Sequence, residues 1–267
     1  MLAGATADNG MRPKGGYTSR GMVEIGGKTM LQWVVDALNA SGRLQRVLVI
    51  GDAAADGVDI VLPGGDSFLD NIMLGLKHVE SQDRALVVCS DIPLITGEAV
   101  SDFVRRAEET GADFCYPIIS KQDCMSKYPG ISRTYLKIRE GTFTGGNMVL
   151  VSPEFMQRNE EVIKQAYTSR KNVVALARII GFATLIRAVM AQLLFPSLLA
   201  IPRLEQRVGN MLGGSVRAVV SPYPEIGEDV DKLEDVEEIR KVMATAYSSD
   251  GSAKTSSAGS EDEKVSC

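Results

Sequence analysis

The sequence predicts an α/β protein with a mostly parallel β-sheet and helices on both faces of the sheet. Short apolar runs rich in Val and Ile alternate along the chain with longer segments whose apolar residues recur at helical spacing. This alternation is typical of parallel sheets, in which each strand is followed by a helix that crosses back over the sheet. The composition, 45% hydrophobic and 24% charged over 267 residues, is typical of a globular domain with its own core.

Short apolar runs place the strands of this sheet. The run 46–51 is rich in Val and Ile and ends in Gly51, and the run 85–89 stops abruptly at Ser90 and Asp91. The predicted strands are 46–51, 58–62, 85–89, 113–119, 148–151 and 216–220. Amphipathic patterns predict helices at 29–40, 68–79, 98–109 and 236–246.

One apolar, helical region interrupts the alternation. We predict a single domain over residues 1–247 with a helical insert at about 153–213, followed by a polar, disordered tail at 248–267. Residues 179–201 are long enough to cross a bilayer, but Arg187 near their middle would be costly in lipid. Two helices packed against the domain or a partner are therefore the favoured interpretation.

Charge and cysteine content narrow the class of protein. The net charge is −5 and the basic residues are scattered, so no nucleic-acid-binding face is indicated. The cysteines lack metal-binding or CxxC spacing; they are Cys89, Cys115, Cys124 and Cys267. Cys89 and Cys115 lie in apolar runs, which favours reduced, packed thiols in a cytoplasmic protein. The first twenty residues also lack the apolar core of a secretory signal.

Acidic residues follow two of the predicted strands. Asp91 follows the strand 85–89, and ligands of open α/β sheets bind at such carboxyl ends. Asp229 and Asp231 alternate between the last strand and the last helix, so an extended backbone places both on one side. Together they would suit Mg²⁺ on phosphates. The alternatives are a turn role for Asp91 before a proline, and a helix cap for Asp231.

A glycine-rich loop with basic residues opens the chain. Residues 2–20 contain four glycines together with Arg12, Lys14 and Arg20. Backbone N–H groups and cations in such a loop can line a polyphosphate. The loop contains neither the GK[ST] of a Walker A motif nor GxGxxG.

Five short motifs occur in a fixed order along the chain. They are LAG at 2–4, IGGKTMLQWVVDAL at 25–38, SDIPLI at 90–95, GGN at 145–147 and DVDKLEDVEEI at 229–239. In this order they resemble the MobA-like NTP transferase family, nucleotidyltransferases with a Rossmann-like fold of the GT-A type. The resemblance covers about residues 1–246 apart from the insert. The motif REGTFTGGN at 139–147 looks closest to a bacterial branch of that family.

The resemblance implies roles for individual residues. The backbone of the first motif would cradle the nucleotide, and the residues concerned are Leu2, Ala3 and Gly4. Arg20 matches the lysine that contacts the phosphates, and Asn71 the polar position near base and ribose. Asp91 matches the Mg²⁺-binding aspartate, with Asp229 or Asp231 as the second metal position. Three residues would line the acceptor pocket, namely Gly145, Gly146 and Asn147.

The chain departs from the family pattern at a few positions. Ala5 replaces the second glycine of the first motif, so its Cβ would crowd the phosphate loop. Arg20 replaces a lysine, which keeps the charge but changes the shape and reach of the side chain. Met1 alone precedes the LAG motif, which predicts a shortened first strand unless translation begins further upstream.

These features together predict a Mg²⁺-dependent nucleotidyltransferase. It would move an NMP from an NTP to a phosphorylated or otherwise anionic small-molecule acceptor and release pyrophosphate. Arg20 and Asp91 would be the catalytic residues, with Arg12 and Lys14 as helpers on the pyrophosphate. A sugar-nucleotide-dependent glycosyltransferase and a non-catalytic nucleotide-binding protein remain as alternatives. The apolar residues 173–212 predict a homodimer surface, which is favoured over a lipid-linked acceptor or a membrane contact.

Overall fold

The computed structural model describes residues 11–169 and 199–253. Their helices are α1 (Met30–Ala40), α2 (Phe68–Leu76), α3 (Gly97–Thr110), α4 (Lys121–Lys127), α5 (Pro153–Arg158), α6 (Glu160–Ser169), α7 (Ile201–Leu212) and α8 (Leu233–Ala253). Their strands are β1 (Glu24–Ile25), β2 (Lys28–Thr29), β3 (Leu48–Ile50), β4 (Ile60–Leu62), β5 (Ala85–Val88), β6 (Phe114–Ser120), β7 (Leu136–Ile138), β8 (Gly141–Gly145), β9 (Met148–Val151) and β10 (Val216–Ser221).

The strands form one six-stranded sheet and two smaller pairs. In the main sheet the order is β5-β9-β6-β8-β7, and β10 pairs with β6. The strands β6 and β10 are parallel, as are β3 and β4 in their own sheet. Every other described pairing is antiparallel, including both neighbours of β9 and the β1–β2 hairpin. The α/β class is therefore confirmed, but the mostly parallel sheet is confirmed only in part.

One antiparallel pair of the main sheet arises where no helix separates consecutive strands. Strands β7 and β8 are joined by Arg139 and Glu140, and such a short connection permits only antiparallel pairing. Strand β9 continues in the direction of β8 and lies between β5 and β6, antiparallel to both. The polar residues 136–145 lack the apolar run that marks the other strands, so neither β7 nor β8 was predicted.

Two hydrophobic cores cover the two faces of the main sheet, as predicted. Successive residues of β9 point to opposite sides, so Met148 and Leu150 join the core under α1 and α3. Val151 joins the other core, which contains Leu76 of α2 and Phe155 of α5. These side chains are all almost completely buried. Helices therefore pack on both faces and hold the strand ends in place.

Local signals set the helix boundaries close to their predicted positions. Thr29 caps α1 by accepting a hydrogen bond from the backbone N–H of Gln32 at 3.1 Å. Thr96 caps α3 in the same way, with Ala99 as donor at 3.2 Å. Gly111 ends α3 in the left-handed conformation, with φ of 63°.

The predicted insert and tail are described only in part. Helices α5 and α6 precede residues 170–198, and α7 follows them. Residues 170–198 lie outside the described part of the chain, and they contain most of the predicted dimer surface and of the membrane-length segment. No helix in the described ranges is long and apolar enough to cross a membrane. Helix α8 continues to Ala253 and so includes the first six residues of the predicted tail, whose disorder stays a prediction. A formed helix adds one hydrogen bond for each further residue, which favours this extension. Residues 254–267 lie outside the described part.

An open cavity of about 380 Å³ lies between β3 and β5. Its lining includes Leu48 and Ile50 of β3, Leu76 of α2 and Val87 of β5. The β3–β4 pair is not hydrogen-bonded to the main sheet within the described residues. Residues 1–10, to which the expectation of a shortened first strand applies, lie outside this part of the chain.

Candidate active site

The acidic site forms where the chain leaves β5. Asp91 follows β5 directly after the buried Ser90. Its backbone carbonyl accepts a hydrogen bond from the N–H of Val230 at 2.9 Å. This bond joins the end of β5 to the segment that follows β10, which contains Asp229 and Asp231. Residues almost 140 positions apart in the sequence therefore meet at one edge of the sheet, as the sequence predicts.

Arg20 lies against this edge and links its parts. The guanidinium Nη1 donates to Asp91 Oδ2 at 3.1 Å and to the Val230 carbonyl at 3.3 Å. It also makes a short hydrogen bond to Asp231 Oδ1. The Nε of Arg20 is buried and has no hydrogen-bond partner among the described residues. Arg20 thus spans two of the three predicted metal ligands and keeps one unpaired donor.

A glycine allows the Arg20 turn to approach β5 closely. Residues Arg20–Met22 form a single 3-10 turn. A Cβ on Gly21 would lie only 2.8 Å from Ser90 Oγ. Only glycine fits at this contact without displacement of a neighbour.

Asp229 has its own set of partners. Arg133 Nη1 donates to Asp229 Oδ1 at 3.0 Å, and Asn147 Nδ2 donates to the same oxygen at 3.3 Å. Glu228 is 1% exposed, and its Oε2 lies 3.6 Å from Arg133 Nη1. The sequence did not predict a role for Arg133 or Glu228. Arg133 lies in a loop without a recognisable motif, whereas the position of Glu228 beside Asp229 was the only available signal.

Burial and crowding alter the ionisation of the acids. Burial raises the pKa of Asp91 to about 6; Arg20 opposes this shift and the charge of Asp229 adds to it. Burial likewise raises the pKa of Glu228 to about 7, with Arg133 opposing. The pKa of Asp229 is also raised by burial, against the effect of Arg133. The site is therefore poor in solvent and rich in negative charge, which favours an added cation.

The donor set is compatible with Mg²⁺ bound together with phosphates. Mg²⁺ is usually held by one or two carboxylates, with waters and substrate phosphates completing its shell. Asp91 and Asp229 are two such carboxylates, and both are destabilised as anions by burial. No group of three His, Cys, Asp or Glu side chains in the described ranges could hold a metal without substrate. Asp231 is 61% exposed and paired with Arg20, so it is less suited to be a ligand.

The remaining nucleotide-side residues are distributed around the site. Arg12 and Lys14 are exposed, and Lys14 Nζ lies 3.6 Å from Glu24 Oε2. Leu2, Ala3 and Gly4 lie outside the described residues. Asn71 is buried on α2, where its Oδ1 accepts from the N–H of Gly65 at 2.6 Å. Asn71 therefore holds the loop after β4, and its predicted proximity to base and ribose stays a prediction.

The glycines of the GGN motif are required by packing. A Cβ on Gly145 would collide with the hydroxyl of Tyr116, and one on Gly146 would lie 2.6 Å from Ile226 Cγ2. Asn147 donates its amide to Asp229 and, at 3.0 Å, to the Gly227 carbonyl. The motif thus supports the segment that contains Asp229, while its predicted acceptor contacts stay predictions.

Comparison with known proteins identifies the family. The family model for the MobA-like NTP transferase domain matches residues 6–220. The chain belongs to this family. The resemblance seen in the five motifs is therefore confirmed, and the chain falls in the enzyme class of nucleotidyltransferases.

Individual relatives of this NTP transferase agree with the assignment. A hypothetical transferase from Thermus thermophilus is 34% identical, with a TM-score of 0.76 over 88% of this chain and 97% of that one. The bifunctional protein GlmU of Exiguobacterium sibiricum is 30% identical over 97 residues, which are 33% of this chain but 22% of GlmU. The chain thus spans about a fifth of the curated relatives it matches.

A more distant structure shares the fold of this NTP transferase. The structure of CMP:2-keto-3-deoxy-manno-octonic acid synthetase in complex with CTP has a TM-score of 0.55 and 13% identity. The match covers 92% of this chain and 98% of that one. At this identity the likeness shows the Rossmann-like fold alone.

Proposed function

We propose that this NTP transferase is a Mg²⁺-dependent enzyme that transfers an NMP from an NTP to a phosphorylated or otherwise anionic small molecule and releases pyrophosphate. The observation that supports this most is the convergence of Asp91, Asp229 and Arg20 at the carboxyl edge of the sheet. Two carboxylates that are only 14% and 28% exposed lie beside the guanidinium of Arg20, an arrangement that suits a metal–triphosphate complex.

Asp91 and Asp229 would hold the Mg²⁺ ion. When bound, Mg²⁺ would neutralise the charge of the triphosphate. Asp231 would hold Arg20 in place through their hydrogen bond. This division of roles follows from exposure, because the side chain of Asp231 is 61% exposed and that of Asp91 only 14%.

Arg20 would stabilise the leaving pyrophosphate. Its hydrogen bonds to other described residues all use Nη1, so the second amino group, Nη2, would donate to phosphate oxygens. Arg12 and Lys14, both exposed on the preceding loop, would add positive charge along the same phosphates. An oxygen of the acceptor forms a bond to the α-phosphorus while the bond from that phosphorus to pyrophosphate breaks.

An anionic acceptor agrees with the side chains present. A phosphate or carboxylate oxygen is already a deprotonated nucleophile, so it needs no general base. The single histidine, His78, lies after α2 and lines the cavity between β3 and β5 rather than the acidic site. We also propose a cytoplasmic location, since the described cysteines are free thiols and NTPs are available there.

A pyrophosphate-release assay tests this function and its alternatives. The protein is incubated with ATP, GTP, CTP or UTP, Mg²⁺ and a panel of sugar phosphates, polyol phosphates and sugar acids. We expect pyrophosphate and a nucleotide adduct of equal amount, detected by mass spectrometry, with one NTP and one acceptor class. Release of a nucleoside diphosphate from a sugar nucleotide instead would identify a glycosyltransferase. Nucleotide binding without any product would identify a non-catalytic protein.

A further inference from the structure

Of the two arginines at the acidic site, Arg133 donates hydrogen bonds from more of its nitrogens than Arg20 does. It lies in the loop between α4 and β7, and its side chain is 13% exposed. Besides its bond to Asp229, it donates from Nη2 to the Gly145 carbonyl and from Nε to Thr144 Oγ1, each at 3.4 Å. All three nitrogens of the guanidinium are therefore in use, and two of them are anchored on β8.

The carboxylate of Asp229 is held asymmetrically. Arg133 and Asn147 both donate to Oδ1, at 3.0 and 3.3 Å. No other described residue donates a hydrogen bond to Oδ2. Asn147 is itself fixed, because its backbone N–H donates to the Ile226 carbonyl at 2.9 Å and its side chain to Gly227. One oxygen is thus used for orientation, and the other remains available to a cation.

The charge of Arg133 is compensated by a second carboxylate. Glu228 is 1% exposed and lies 3.6 Å from Arg133 Nη1. Arg133 Nη1 therefore faces two carboxylates at once, so its charge is shared between Glu228 and Asp229.

We propose that Arg133 is a positioning residue of the metal site, which with Asn147 fixes Asp229 so that Oδ2 faces the bound cation. This inference rests on the proposed function, because it assumes that Asp229 is a metal ligand. Groups that orient a metal ligand from behind typically contribute 10–100-fold to metal affinity. Arg133 differs from Arg20, whose hydrogen bonds to other described residues all use one nitrogen and whose proposed role is on the phosphate side.

The experiment measures Mn²⁺ binding at saturating NTP by electron paramagnetic resonance. The variants are R133K, which keeps the charge but loses the planar fork, and R133M/E228Q, which removes the arginine without leaving Glu228 as an unpaired buried charge. The matched control is R139M, because Arg139 is exposed and its side chain contacts its neighbour Glu140. Nucleotide affinity is measured in parallel in EDTA.

We expect Mn²⁺ affinity to fall roughly 10–100-fold in R133M/E228Q and less in R133K, with R139M equal to wild type. Nucleotide affinity in EDTA should change less than twofold, which a purely structural role of Arg133 would not predict. Unchanged Mn²⁺ affinity in both variants would overturn the proposal. So would tighter binding, since Arg133 would then compete with the metal for Asp229. If the wild-type protein binds no Mn²⁺ with any NTP, the proposed function itself is contradicted, whatever the variants show.

Discussion

At the scale of single residues, each buried carboxyl group of the acidic site is paired with an arginine that only partly offsets the effect of burial. Asp91 and Asp229 are each matched with one arginine, yet burial keeps the pKa of both carboxyl groups above its ordinary value. The arginines therefore do not fully offset the loss of solvent. A site of this kind is less stable when empty than when a cation occupies it, which is the usual condition of a binding site.

The raised pKa of Asp91 predicts how the stability of the ligand-free protein depends on pH. Because the folded pKa of about 6 exceeds the unfolded value of 3.8, folding stabilises the protonated form. That contribution is fully present below about pH 4 and is lost as the pH rises through 6. Its size is on the order of 3 kcal/mol. We therefore expect Asp91→Asn to flatten the decline in melting temperature between about pH 4 and pH 7.

The control for this prediction is Asp56→Asn, a substitution of an exposed aspartate. Its melting temperature should follow wild type at each pH. An Asp91→Asn profile that runs parallel to wild type across this range would show that Asp91 does not titrate there. Other acids, such as Glu228, would then be responsible for the dependence.

At the scale of secondary-structure elements, the site depends on three chain segments that meet at the end of β5. The 3-10 turn at Arg20–Met22 supplies the arginine, the end of β5 supplies Asp91, and the segment after β10 supplies Asp229. The contact between the turn and β5 is the closest of these. It requires that residue 21 has no side chain.

Gly21→Ala should therefore disturb the site and the fold together. The new Cβ would lie 2.8 Å from Ser90 Oγ and 3.0 Å from Ser90 Cβ, so the turn must move away from Asp91. We expect a loss of about 1–3 kcal/mol in the free energy of unfolding, as for other overpacked contacts. Urea denaturation measures this loss directly.

The double variant G21A/S90A serves as the matched control for that contact. It removes the nearer of the two colliding atoms, so part of the lost stability should return. If G21A alone unfolds at the same urea concentration as wild type, the close approach of the turn to β5 is not a constraint.

The sequence predicted those helices and strands whose apolar residues recur at a regular spacing. Helices α1 and α3 and strands β5 and β9 bury regular sets of apolar residues, so period and composition were sufficient. Strands β7 and β8 are polar and short, and the direction of β9 follows from its position between β5 and β6 rather than from its own residues. The hydrophobic pattern of the sequence could therefore predict neither the strands β7 and β8 nor the direction of β9.

The same distinction applies to the site. Asp91 and Asp229 were predictable because strand ends converge on one edge of a sheet. The pairing of Asp229 with Arg133 depends on a loop 96 positions away in the sequence, and the bond from Asn147 spans 82 positions. Contacts between residues so far apart in the sequence depend on the whole fold, so no local motif predicts them. For this reason Arg133 was found only in the structure.

At the scale of the whole molecule, the architecture places a solvent-poor, negatively charged edge beside Arg20, at the point where β5 and β6 end and β9 begins. Helices on both faces keep the strand ends fixed, and both cores are almost completely buried. We propose that this edge binds an NTP together with Mg²⁺. A nucleotide at about a hundred times its dissociation constant should add roughly 2.7 kcal/mol of stability.

The most direct test is a thermal-shift panel of ATP, GTP, CTP and UTP, each with and without Mg²⁺, on wild type, Asp91→Asn and the control Asp56→Asn. For a chain of this size the stabilisation corresponds to roughly 5–11 °C. We predict a Mg²⁺-dependent shift of that order with one NTP, retained in Asp56→Asn and lost in Asp91→Asn. A wild-type protein that shows no Mg²⁺-dependent shift with any NTP, or an Asp91→Asn variant that keeps the full shift, would contradict the claim.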